Sequence, residues 1–371
     1  MNTDDYLFPH RLTRRDFLKN TSVGLAALGM SGLASSADDT APVRIGSGSF
    51  TYEWDREWGQ LPAGMTYGFG CGVIVDSRDR VYITSRSTNP CVAIFDREGK
   101  LLETLSDHFA EEVGLTTEQV KDTAHCLYLS KEGGQEFIYW TENISTNKEG
   151  PKLGARVYKT DLQGKILYQI GNVAKESSTS QKFDWTNPTD VAVAANGDIY
   201  VVDGYGSQRL SRFDKNFRHY RTIGGRGKEP GLFNTCHGLW ISTLNPEPEL
   251  YVADRHNDRL QVFDLDLNFK RIIKGDVRNP CCFYQYNGHL YIPDLASRVT
   301  IIDPQDKAVA QLGDGKEVQN GGMGVKREVA DAHPDSFFAP HALTVDSRGD
   351  FYVVEWVSFG RPRKFRHTPQ A

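Results

Sequence analysis

Short runs of alternating apolar and polar residues, each closed by a polar turn, recur through most of the chain. The stretch "NPTDVAVAANGDIYVVDGYGSQRLSRFDKNFRHYRTIG" (187–224) shows the unit: a proline, an alternating strand, an Asn-Gly turn, a β-branched strand ending in Asp, a third strand, a turn and a fourth strand. Alternation turns one face of each strand inward, β-branched and aromatic side chains suit a pleated surface, and Asn-Gly takes the positive φ of a tight hairpin. The plan returns at 67–105, at 122–171 with an insertion around Ser145–Gly154, at 233–275 and at 279–313. A sixth copy opens with "FFAPHALTVDSRGDFYVVE" (337–355), and its third strand is "RKFRH".

Six four-stranded units of roughly 40 residues each predict an all-β, six-bladed β-propeller, since one blade buries neither face alone and must stack on its neighbours. The sixth copy runs out before a fourth strand. The strand-like segment "SFTYEWDREWG" (49–59) is otherwise unpaired and is expected to complete that blade, closing the ring and removing a free edge. An open β-solenoid would need no such returning strand.

The propeller is expected over residues 38–371. Ahead of it, "TRRDFLKNTSVGLAALGMSGLASSADD" sets Arg14 and Arg15 before a short apolar stretch and a small-residue end at Ser35, Ser36 and Ala37, the pattern of a twin-arginine export signal over residues 1–37. Its apolar run is well short of the ~20 residues a spanning helix needs. The expected location is the periplasm or the extracellular space, with the twin-arginine machinery as a partner and no stable membrane insertion. A net charge of −5 offers no basic field, so nucleic acid is not an expected partner. Six cysteines allow 15 pairings between which the sequence does not choose, and no C-x-x-C is present.

Aligning the entry to the first strand of each blade gives one slot per blade: Cys71, His125, Thr189, His237, Cys281 and His341. The even blades carry histidine. Alternate blades of a six-membered ring stand a third of a turn apart, and innermost strands line the channel, so three imidazoles converge on the axis. His125, His237 and His341 thereby form a candidate metal site with an open position, suited to Zn2+ and open to other divalent transition metals. The plainer alternative is three channel histidines bound to water. Cys71 and Cys281 share the slot on odd blades and are expected to face the channel without being essential ligands.

The repeats resemble NHL repeats in their "VAVD…G.IYV.D….R…FD..G" pattern. More narrowly, "PTDVAV…IYVVDGYGSQRL…F…CHGLWI…LYVADRHNDRLQVF" resembles the catalytic core of peptidyl-α-hydroxyglycine α-amidating lyase. That family is a six-bladed propeller with zinc on three histidines at this blade position, so the resemblance implies His125, His237 and His341 as ligands. It implies Tyr205 of "DGY" as the base, Arg86 of "YITSR" as a substrate clamp, and Arg255 after Asp254 as a third site residue. A tyrosine near a dication and two guanidiniums should have its pKa lowered. An arginine can grip a carboxylate bidentately, although Arg86 and Arg255 could equally pair with the carboxylates at Asp203, Asp254 and Asp294. The chain departs from the family in three places. Gly206 stands where vertebrate members have a disulfide Cys, and Ala339 replaces a Met, suggesting a differently shaped pocket. Ala342 replaces an Asp, which puts the family's structural Ca2+ in doubt. No copper-monooxygenase domain accompanies the propeller.

The expected activity is an exported, metal-dependent lyase that breaks the C–N bond of an α-hydroxyglycine-type carbinolamide, giving an amide and glyoxylate. Its substrate would be a small molecule or derived from a peptide. The alternatives are a non-catalytic NHL propeller binding a peptide, glycan or protein, and a metal-dependent hydrolase or lactonase.

Overall fold

The structure, a computed structural model, describes residues 41–146 and 152–370. The export signal read over 1–37 and part of the blade-2 insertion lie outside the described residues. The compact unit begins at Pro42 and consists of six sheets, antiparallel apart from one added strand.

Blade 1 is Gly70–Val75, Val81–Ser85, Val92–Phe95 and Leu101–Leu105. Blade 2 is Ala124–Glu132, Gln135–Glu142, Arg156–Thr160 and Ile166–Gly171, with a fifth strand, Ser180–Lys182, added in parallel. Blades 3 and 4 open with Asp190–Val193 and Cys236–Ser242 and have four strands each. Blade 5 opens with a first strand of only three residues, Tyr284–Tyr286. The cause lies in the facing strand. Cys281 N–H donates to the carbonyl of Pro293 at 2.9 Å, and a proline has no N–H to return.

Blade 6 joins the two ends of the chain. Pro340–Val345, Phe351–Glu355 and Arg363–His367 are followed in the sheet by Tyr52–Asp55, which pairs with Arg363–His367 through Trp54 opposite Phe365. The N-terminal segment therefore closes the ring as expected, and Arg44–Ile45 adds a fifth strand outside it. Two short helices that the alternation does not predict, Asp107–Glu112 and Thr117–Thr123, link blades 1 and 2, the second started by a Thr116–Gln119 capping box.

The hydrophobic core lies between blades. Tyr82 and Ile94 of blade 1 pack with Ile138 and Trp140 of blade 2, and comparable clusters fill the interfaces of blades 2 with 3, 3 with 4, 4 with 5 and 5 with 6. At the closing interface Val81 and Ile83 meet Tyr352 and Val354. Arg97 of blade 1 is buried there against Asp346 at 2.6 Å and Asp350 at 2.9 Å of blade 6. Every blade is thus anchored on both faces, which fixes the six innermost strands around one channel.

Candidate metal centre

Each innermost strand of blades 1, 2, 4 and 6 carries a register shift at the slot, between Gly70 and Gly72, Ala124 and Leu127, Cys236 and Leu239, and Pro340 and Ala342. A β-bulge turns a side chain out of the regular alternation. Here it aims the slot residue at the axis. The rings of His125, His237 and His341 are 1% exposed or less, and their centroids stand 4.9, 4.9 and 5.1 Å apart.

The odd blades supply what holds these rings. His125 Nδ1 lies 2.6 Å from the carbonyl of Thr189, His237 Nδ1 2.9 Å from that of Cys281, and His341 Nδ1 2.8 Å from that of Cys71. Each histidine is therefore bonded to the slot carbonyl of the next blade. A carbonyl only accepts, so every Nδ1 carries the proton and every Nε2 presents a lone pair. His125 Nε2 and His341 Nε2 are buried without a partner. Burial, reinforced by neighbouring positive groups, holds all three imidazoles below the usual histidine pKa, His341 down to about 3. Neutral, oriented rings with their Nε2 lone pairs turned inward, two of them unpartnered and that of His237 met only by a tyrosine hydroxyl, are the donor set a zinc-class ion takes. Nearby thiols join two groupings whose ligand atoms lie within 4.8 Å of one another: His125, Cys126 and His341, and His237, Cys281 and His341.

Above the histidines, a second register recurs. A residue just past the second strand (the very next one in five blades, and Tyr205, three beyond Val202, in blade 3) donates its backbone N–H to the carbonyl two positions before the slot: Arg86 to Phe69, Asn143 to Thr123, Tyr205 to Asn187, Arg255 to Thr235, Leu295 to Asn279 and Trp356 to Ala339. These six positions form one rim, and Tyr205, Arg86 and Arg255 all sit on it. Tyr205 is 38% exposed as a residue, while its hydroxyl points inward to His237 Nε2 at 3.1 Å and accepts from Arg255 Nη2 at 2.7 Å. Since His237 Nε2 is an acceptor, the Tyr205 hydroxyl donates to it.

The expected lowering of the Tyr205 pKa is not what the chain alone produces. Burial of the hydroxyl raises it, and the Arg255 charge and hydrogen bond offset only part of that rise. The expected counterweight included a dication, whose charge is no part of this balance.

Neither arginine is taken up by the ion pairs that could have absorbed it. Asp254 pairs with Arg259 at 2.6 Å and Asp294 with Arg298 at 2.8 Å, while Asp203 accepts backbone N–H groups of Thr186 and Ser207. Among the described residues, Arg86 and Arg255 have no carboxylate partner. Arg255 donates Nη1 to Cys281 Sγ at 3.3 Å, and Arg86 donates Nη2 to Asn143 Oδ1 at 3.3 Å and lies over Trp356 at 5.1 Å. The Nε of each is buried and unpartnered. Two such guanidiniums beside the histidines make a site for an anionic group. A cavity of about 420 Å3 opens beside Arg86, bordered by Phe69, Gln119, Asp122 and Ser358.

Asn143 and Trp356 escaped the sequence reading, although the signal existed. Both directly follow the acidic residue ending their second strand, as Arg255 does. Cys71 Sγ donates to the carbonyls of Phe69 and Ala124 at 3.3 and 3.4 Å, and all six cysteines are buried and unpaired.

The ring of blades defines the chain as a six-bladed β-propeller, and a family model described as a 6-bladed beta-propeller matches residues 176–300. Relatives of two kinds are among those the chain matches. NHL repeat-containing protein 3 of Homo sapiens is 27% identical over 218 residues, 58% of this chain and 57% of that protein. Peptidyl-alpha-hydroxyglycine alpha-amidating lyase 1 of Drosophila melanogaster is 26% identical over 268 residues, covering 64% of this chain and 46% of that protein. A probable lyase of the same name from Caenorhabditis elegans is 29% identical over 184 residues, 48% and 45% of the two chains. The matches thus span little more than half of these relatives' length, or less. A solved streptogramin B lyase shares the fold with a TM-score of 0.53 at 14% identity, over 84% of this chain and 97% of that one.

Proposed function

We propose that the chain is an exported, metal-dependent lyase acting on an α-hydroxyglycine-type carbinolamide, R–CO–NH–CH(OH)–COO⁻, and releasing R–CO–NH2 and glyoxylate. The observation that carries this reading is the axial trio of neutral imidazoles with a tyrosine hydroxyl and two unpaired guanidiniums on the rim directly above. His125, His237 and His341 would hold a zinc-class ion through Nε2. Bound there, such an ion supplies Lewis acidity to a substrate oxygen.

The chain's own groups divide the rest of the work. Arg86 grips the substrate carboxylate, its guanidinium held flat by Trp356 and steered by Asn143. Arg255 fixes the Tyr205 hydroxyl and favours its ionised form. With its His237 hydrogen bond given up to the ion and its own proton released to solvent, Tyr205 as the phenolate takes the proton of the substrate hydroxyl as the C–O bond gains double-bond character and the C–N bond breaks. The electrons of that bond pass to nitrogen, which needs one proton, and Tyr205 holds the one just removed. No oxidant, reductant or water is consumed. The amidating-lyase relatives support this assignment by name, and the buried, unpartnered Nε2 atoms support it by chemistry.

The test is glyoxylate release from a model N-acyl-α-hydroxyglycine by metal-loaded protein. Tyr205→Phe should slow turnover by about a hundredfold or more at unchanged metal content, the range for a lost general base. Arg86→Ala should raise KM and lower kcat together. Metal-dependent release that ignores Tyr205 would remove it as the base, and no release from any α-hydroxyglycine would discard the lyase.

A further inference from the structure

One position beyond the histidine slot, the innermost strands carry a second ring of residues, and three of them bear ligand atoms. Cys126 of blade 2, Asp190 of blade 3 and Cys282 of blade 5 bring two sulfurs and a carboxylate oxygen within 4.8 Å of one another. We propose that this trio is a second metal centre, a thiolate–carboxylate site for one zinc-class ion, directly adjoining the histidines, since Cys126 Sγ also lies within 4.8 Å of the His125 and His341 ligand atoms. It does not depend on the lyase reading.

The sulfur separation, which two thiols also span with a hydrogen bond, is close to that of two sulfurs on one ion. Cys126 Sγ and Cys282 Sγ lie 3.5 Å apart. Two thiolates each ~2.3 Å from one tetrahedral ion stand about 3.8 Å apart, whereas a disulfide needs about 2.04 Å. The observed pair is within a few tenths of an ångström of sharing an ion and well outside bonding to each other. Asp190 is already set in place. Its Oδ1 accepts from Val191 N–H and its Oδ2 from Leu239 N–H of blade 4, both at 2.9 Å. Each oxygen keeps a lone pair, and the two bonds fix the carboxylate as outer-shell partners fix a ligand. The three residues are 2%, 5% and 7% exposed.

Access comes from the side away from the histidines. A cavity of about 130 Å3 borders all three residues and continues along the innermost strands past Trp240 and Tyr284. It leaves room for a fourth ligand, which water would supply. Binding would release to solvent the two thiol protons and that of the Asp190 carboxyl, which burial pushes up to about 8, and tie blades 2, 3 and 5 together at the axis.

The experiment uses the reduced, metal-free full chain titrated with Co2+. Two equivalents should bind, with a thiolate-to-cobalt charge-transfer band. Cys282→Ser should lose that band and one equivalent. His237→Ala should lose the other equivalent and keep the band, and Cys281→Ser should keep both. A single equivalent with no thiolate band in the wild type would overturn the proposal without any variant. So would a band that survives Cys282→Ser but is lost in Cys281→Ser, which would place the thiolate among the histidines. An intact mass showing a Cys126–Cys282 disulfide, with no second equivalent after reduction, would likewise sink it.

Discussion

His341 illustrates how much of the site is decided at single residues. Its ring is buried, and burial together with the Arg255 charge brings its pKa from the ordinary 6.5 to about 3. In the unfolded chain the same ring takes up a proton near its ordinary value. Between those two pH values the unfolded state binds more protons than the native state, so native stability falls as pH falls through that window and levels off below it. His125 and His237, shifted in the same direction, add to the effect. Metal-free protein should therefore lose Tm steadily from near neutrality toward pH 3, and His341→Gln should flatten that slope. An equal slope in the variant would show that the acid sensitivity arises elsewhere. Tyr205 teaches the complementary lesson. Its position was readable from "DGY", but its ionisation was not, because burial of one hydroxyl and the reach of Arg255 are tertiary quantities.

At the scale of the strand, the bulge is what converts a repeat into a site. Gly238 follows His237 within one, and a Cβ there would stand 2.2 Å from the carbonyl oxygen of Cys281. That oxygen is the one His237 Nδ1 bonds. Gly238→Ala should thus force blade 5 away from His237 and weaken metal binding at the histidines by about 10- to 100-fold, the usual cost of losing an outer-shell partner. Isothermal titration with Zn2+ against an unchanged circular dichroism spectrum checks it, and undiminished affinity would mean the carbonyl is dispensable. The four-strand units, their turns and the alternation of histidine were all legible, because period-two patterning and hairpin chemistry are local. The bulges, the carbonyls that orient the rings and the short first strand of blade 5 were not, since each depends on which residue faces which across a sheet. The helix at Thr117–Thr123 was announced by Thr116 and Gln119, yet a capping signal of four residues is quiet beside strong strand alternation.

For the whole molecule, closure is the controlling event, and it rests on contacts between opposite ends of the chain. Arg97 bridges Asp346 and Asp350 across the closing interface, and Lys364 reaches Asp350 at 3.3 Å. Removing one partner of a buried pair leaves uncompensated charge, so Arg97→Ala should cost about 3 kcal/mol or more. Urea unfolding checks it, and a loss below about 1 kcal/mol, the range of an exposed pair, would show that the seam is held elsewhere. The alternation of slots carries a further consequence. Each imidazole is steered by a backbone carbonyl of the blade that follows it, and in this ring ligand-bearing and steering blades take turns. An even number of blades preserves that alternation. A relative that gained or lost a single blade would set two blades of one kind side by side and break the three-fold symmetry, whereas the two-blade module can be duplicated with its own internal support intact. The unit of inheritance for such a centre is the pair.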